Sequence, residues 1–152
     1  MPICKRNVEV ECSIDMAFEY VADWRNSKSF IPFFLNLKPI SEVEYGPGTC
    51  LETTVSIGRE EVVTSFEMVE FTKNKKILYK ASRGMKSKIG WEFKQLTGKV
   101  LIMFSFEYEV PPVLVARDSE REAFEKELEK AANTSTDLLV WVLQAHACPG
   151  ND

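Results

Sequence analysis

From Leu37 to Val110 apolar and polar residues alternate in short runs separated by turn residues, the period-2 pattern of half-buried β-strands. Gly58-Arg59, with glycine first, suits a two-residue hairpin turn that pairs Val55 with Val62, Thr53 with Thr64 and Leu51 with Phe66. A turn at Lys73-Asn74 pairs Met68 with Tyr79 and Phe66 with Ala81. A third at Thr97-Gly98 pairs Phe93 with Ile102, Trp91 with Phe104 and Ile89 with Phe106. Each turn is chosen on its own residues, yet all three bring the apolar side chains to one face. A one-residue slip would send every side chain to the opposite surface, so this agreement fixes a register. The other face carries Glu52, Ser56, Glu67, Lys80, Lys88, Glu92, Lys94, Ser105, Glu107 and Glu109, which suits water. An antiparallel sheet with one wet and one apolar side must cover the latter.

The ends of the chain supply the cover. KRNVEVEC alternates from Val8 to Cys12 and predicts a first strand, and Ser13 then stands as N-cap of a helix reaching about Ala22, with Phe18, Val21 and Ala22 inward. The stretch from Trp24 to Phe34 is less regular, and Pro32 disfavours helix at Ile31, so a short helical turn followed by a loop is expected. Pro111-Pro112 ends the last strand. Ser119 and Glu122 have capping-box spacing ahead of a long helix reaching about Ala147, whose inner stripe reads Phe124, Leu128, Ala131, Ser135, Leu138 and Val142. Val140, Trp141 and Leu143 make its end apolar on nearly every side. Intramolecular cover is the expectation there, and a homodimer contact is the alternative.

With 152 residues, one domain spanning 1–152 suffices, able to bury roughly 68–70% of its unfolded surface without disulfide or metal. Cys4, Cys12, Cys50 and Cys148 are widely spaced and there is one histidine, which argues against a zinc, iron–sulfur or redox site. No signal-like segment and no membrane-length apolar run is seen, so a soluble, cytoplasmic protein without stable membrane insertion is expected. The net charge of −4 argues against nucleic acid as a partner. Yet residues 72–99 hold Lys73, Lys75, Lys76, Lys80, Arg83, Lys86, Lys88, Lys94 and Lys99 against Glu92 alone. Solvated strand faces account for such a run, and docking to an acidic partner or anionic lipid surface is the functional alternative.

The middle of the last helix is small, at Ala131 and Ser135, and faces aromatic strand positions Tyr79, Trp91, Phe104, Phe106 and Tyr108. Either the large side chains close-pack on Ala131, or an apolar cavity remains, with Thr53, Thr64, Tyr79, Tyr108 and Ser135 as its polar groups. The order of parts, with AFEYVADWRNSKSFIP after the first strand, GPGT at 46–49 and one long terminal helix, resembles the START-like, or Bet v 1-like, helix-grip superfamily, and within it the polyketide cyclase/dehydrase (SRPBCC) group. The resemblance rests on Phe18, Tyr20, Val21, Ala22, Asp23, Trp24, Pro32, Gly46 and Gly48, which are structural positions. It implies an α+β fold in which a curved antiparallel sheet grips the terminal helix around a hydrophobic cavity. It also implies that Trp24, Phe30, Ile31, Phe33 and Phe34 form an adjustable lid at one mouth.

The expected function is therefore binding of a small hydrophobic molecule or lipid, with no cofactor and no metal. The ligand contacts would come from Trp24, Phe30, Phe33, Phe66, Met68, Trp91, Phe104, Phe106 and Ala131, together with the polar groups just named. A cyclase- or dehydratase-like enzyme is the alternative, with Tyr79, Tyr108 and Glu70 as counterparts of that group's polarising residues. Against it stand the inner face's lack of arginine, the remote place of His146 and the absence of a hydrolase, metalloprotease or nucleotide-binding motif. A docking module using the basic strand face is the third reading.

Overall fold

The computed structural model describes residues 2–110 and 118–147. Seven antiparallel strands lie in the order β1-β7-β6-β5-β4-β3-β2: β1 (Ile3–Val10), β2 (Phe34–Pro39), β3 (Cys50–Ile57), β4 (Glu60–Thr72), β5 (Lys76–Arg83), β6 (Ser87–Leu96) and β7 (Lys99–Tyr108). Between β1 and β2 come helix α1 (Ile14–Ala22) and a 3-10 helix (Trp24–Ser29), and the chain closes with α2 (Asp118–Ala147). The sheet curves around α2, the helix-grip arrangement.

The hairpin registers follow the turns. Val55 opposes Val62, Thr53 opposes Thr64 and Leu51 opposes Phe66, while Trp91 opposes Phe104 and Phe93 opposes Ile102. The β4–β5 connection is different in detail. Thr72 opposes Lys76, leaving the three residues Lys73, Asn74 and Lys75 in the loop, and a bulge at Val69 then restores Met68 opposite Tyr79 and Phe66 opposite Ala81. The extra loop residue and the bulge cancel, so the inner face is the expected one although the turn is not. Asn74 adopts φ 60 and donates from Nδ2 to Asp15 Oδ1 at 2.6 Å, which ties this loop to the start of α1.

Four boundaries move. The first strand runs from Ile3 to Val10, not Val8 to Cys12, because its partner β7 extends from Val100, opposite Val10, to Glu107, opposite Ile3. The strand region begins at Phe34 and ends at Tyr108, where the alternation suggests Leu37 and Val110. Ser119 is the second residue of α2 and so cannot be its N-cap. Over its second half α2 buries Ala132, Ser135, Thr136, Leu139 and Leu143, while Ala131, Leu138 and Val142 are half-buried. The inner stripe is thus the expected one at Phe124, Leu128 and Ser135, and is shifted by one position at Ala132, Leu139 and Leu143. Arg6 on β1 holds Asp137 at 2.9 Å, which orients this part of the helix. At the end of α2 Leu143 is buried and Val140 half-buried, as intramolecular cover predicts, whereas Trp141 is 71% exposed among the described residues.

At α1 the expectation holds: the Ser13 side chain accepts from Met16 N at 3.1 Å, and Ala17, Phe18, Val21 and Ala22 are buried. Phe18 meets Phe71 and Phe93 edge-on at 5.2 and 5.4 Å, fixing α1 over one end of the sheet.

Candidate functional site

Asp23 ends α1 and begins the next turn, its Oδ1 accepting from Arg25 N at 3.1 Å. The 3-10 helix that follows is held largely by polar side chains at its surface: Tyr20 OH and Ser29 Oγ lie 2.6 Å apart, Ser29 Oγ donates to Asn26 O at 2.7 Å, and Asn26 Nδ2 donates to Tyr20 O at 3.0 Å. The chain then bends at Pro32, and the phenylalanines on either side of it pack towards the sheet. Phe30 meets Trp91 edge-on at 5.7 Å, Phe33 lies 6.2 Å from Phe106, and Phe34 stacks on Phe66 at 5.5 Å. Trp91 in turn packs on Phe104 at 4.6 Å.

This segment nearly fills the space the sheet encloses. What remains beneath it is a void of about 20 Å³, the size of a single water molecule, lined by Phe30, Phe34, Phe66, Tyr79, Trp91 and neighbours that include Val21, Ser27, Ile31 and Leu37. The expected alternation between open cavity and packed core thus resolves, in this conformation, close to the packed extreme. A larger groove of about 600 Å³ opens between the β3–β4 turn and the start of α2, but Arg59, Glu60 and Glu127 flank it. The aromatic void is the better match to a site for an apolar molecule.

Of the residues singled out in the sequence, Phe30, Phe66, Tyr79 and Trp91 meet at the void. Phe33, Met68, Phe104 and Phe106 are buried around it, and Tyr108 packs against Phe106 and Phe124 farther along β7. The threonine hydroxyls are committed elsewhere: Thr53 Oγ1 donates to Leu35 O at 2.8 Å, and Thr64 Oγ1 donates to Val62 O and accepts from Met85 N. Ser135 Oγ and Trp24 Nε1 are buried without a hydrogen-bond partner, and Ala131 is half-buried on α2. Val21, Ser27 and Leu37 were not singled out as ligand contacts. Val21 lies on the inward side of α1 that the helical pattern marks, whereas the bent segment brings Ser27 and Leu37 to the void and no periodicity marks them. His146 interacts with Val142 O at 3.0 Å and with the Tyr20 ring at 5.6 Å, away from the void.

Beside Ser27, Tyr79 is the polar residue that lines this void. Its hydroxyl has no hydrogen-bond partner among the described residues, and burial first, then the charge of Asp23, pushes its pKa up. At neutral pH it stays protonated and can donate a hydrogen bond. Tyr45 and Tyr108 are each pushed up to about 12, mainly by burial, with Tyr45 also donating to Glu19 Oε2 at 2.9 Å. A phenol whose folded pKa lies above its ordinary value of 10.0 contributes stability that is complete below that pH and is lost as pH rises towards 12. Thermal stability should therefore fall between pH 10 and about 12, with a shallower fall in Tyr45→Phe; identical pH profiles would contradict the Glu19 contact. Among the described residues no cluster of His, Cys, Asp and Glu could hold a metal ion, and no helix is long and apolar enough to cross a membrane.

No family model and no curated protein matches this chain in sequence. Solved structures do match in shape. The Zhui aromatase/cyclase from Streptomyces sp. R1128 superimposes with a TM-score of 0.75 at 16% identity, over 95% of this chain and 94% of that one. Ginseng major latex-like protein 151 from Panax ginseng gives 0.68 at 11% identity, over 97% and 98%. A START superfamily protein from Mycobacterium smegmatis gives 0.66 at 15% identity, over 95% and 96%. Sequence identities this low speak for architecture alone, and the architecture is the α+β helix-grip fold common to START- and Bet v 1-like proteins and to polyketide aromatase/cyclases.

Proposed function

We propose that the protein binds a small, mostly apolar molecule between the sheet and its helical cover, in the place now held by Phe30 and Phe34. The observation that carries this reading is the aromatic void with the unpartnered Tyr79 hydroxyl at its wall. A ligand carrying one carbonyl or hydroxyl oxygen would satisfy it, while its apolar body replaces the phenylalanine rings. Apolar burial at about 25 cal/mol per Å² is enough for micromolar affinity after the costs of association.

The segment that would move is built to do so. β2 is an edge strand, its pairing with β3 shifts between Leu35 and Lys38, and Asn36 there has φ 55. The bonds that hold the 3-10 helix are mostly exposed, and each contributes only about 0.5–1.5 kcal/mol. Such a region opens at lower cost than the β6–β7 ladder.

Native mass spectrometry of protein mixed with a panel of neutral aromatic and acyl compounds tests the reading, alongside Trp fluorescence. The expected result is a one-to-one complex whose affinity falls about tenfold or more in Tyr79→Phe for oxygen-bearing compounds and little for pure hydrocarbons, the cost of one lost hydrogen bond in an apolar site. No complex with any compound would remove the proposal. Should Tyr79→Phe abolish turnover of a bound polyketone while leaving its affinity intact, the cyclase alternative would take precedence.

A further inference from the structure

The β5–β6 ladder ends where Lys80 stands opposite Lys88, and Ala81 to Arg83 have no partner on β6. β5 continues along β4 as far as Arg83, and β6 pairs with β7 from Ser87 onward. The sheet therefore parts between its fifth and sixth strands, leaving a groove of about 390 Å³ lined by Lys80, Ser82, Arg83, Lys86, Ser87 and Lys88. Its closed end is rigid. Gly84 has φ +83, a Cβ there would lie 2.2 Å from Val63 O, and Met85 N donates to Thr64 Oγ1 at 3.3 Å, so the turn is pinned on β4.

No carboxylate lines this groove, in a chain of net charge −4. Glu67 and Glu107 flank the Lys80–Lys88 row in register, yet neither forms an ion pair with it, and the pairs among the described residues all lie elsewhere. Like charges directly opposed on adjacent strands destabilise a sheet. Glu67 opposite Lys80 and Glu107 opposite Lys88 offset part of that cost, and a bound anion would offset the rest. An exposed apolar pair lies on the same outer face: Leu35 opposes Thr54, which opposes Val63, and Val63 is 61% exposed beside the Gly84 turn.

Cations around a groove with apolar side chains at their edge fit a lipid surface better than a soluble anion. We propose that the β5–β6 hairpin docks on anionic phospholipid, a headgroup phosphate entering the gap between Lys80, Lys88, Arg83 and Lys86 while Val63 and Leu35 meet the acyl boundary. This surface is separate from the interior void, and the proposal stands whether or not the void takes a ligand.

Cosedimentation of the full chain with vesicles of phosphatidylcholine alone, or with phosphatidylserine added, tests it. Binding is expected to the serine-containing vesicles only, weakening as salt rises. Lys86→Gln and Lys88→Gln should each lower the partition about fivefold, and Val63→Asp at least as much. Lys88→Gln should at the same time not lower the melting temperature, since relief of its opposition to Lys80 offsets the loss of the charge opposite Glu107. A lysine kept for structure would show the reverse. Equal binding to both vesicles, no binding, or unaltered partition in the variants would overturn the proposal. So would capture of inorganic phosphate or of an acidic polypeptide without vesicle binding, which would assign the groove to that ligand instead.

Discussion

Replacing Trp91 by alanine is expected to remove about 3–5 kcal/mol of stability, among the largest losses any single side chain can produce here. Trp91 is 1% exposed, opposes Phe104 across β6–β7 and Ile77 across β5–β6, and receives Phe30 edge-on. Its removal deletes one of the largest buried side chains and leaves Phe30 and Phe104 without the ring contacts that add about 0.5–1.5 kcal/mol each beyond burial. Trp141→Ala is the internal standard, since that side chain is 71% exposed and its loss should change stability by no more than about 0.5 kcal/mol. Urea unfolding followed by circular dichroism reads both, with a lowered midpoint and an unchanged slope expected for Trp91→Ala. Equal midpoints for the two variants would mean that the aromatic cluster is not the core of this fold.

That cluster was legible before any coordinates, and the reason is local. Hairpin turns such as Gly58-Arg59 and Thr97-Gly98 set register within a few residues, and alternation then carries the inner face along each strand. The β4–β5 hairpin shows where this reasoning is fortunate: the loop has one residue more than the pattern suggests, and only the compensating bulge at Val69 keeps Tyr79 facing inward. On α2 the stripe could be read to within one position, because Ala131 and Ala132 are chemically alike and packing against β1, including Arg6 to Asp137, decides between them. The state of the interior was not legible at all. Whether Phe30 and Phe34 lie under the sheet or beside it depends on how one bent segment meets four strands, a non-local outcome that no period records.

The same segment yields the second large effect, and here stability and binding should move in opposite directions. Phe30→Ala is expected to cost about 3–5 kcal/mol in the free protein while enlarging the 20 Å³ void by a volume on the order of one aromatic ring. If the wild-type chain admits a ligand only when the 30–34 segment withdraws, its apparent affinity is reduced by the small fraction of molecules in that state, a penalty the variant largely escapes. A neutral aromatic probe should therefore bind Phe30→Ala about tenfold tighter than wild type. At a hundredfold excess over its dissociation constant it should restore about 2.7 kcal/mol of the lost stability. Stopped-flow traces add a kinetic signature: the wild-type rate should level off with probe concentration at the opening rate of the segment, whereas the variant's should keep rising. A variant that is merely destabilised, with neither tighter binding nor rescue, would identify Phe30 as a core residue like Trp91 and leave the helical cover with no gating role.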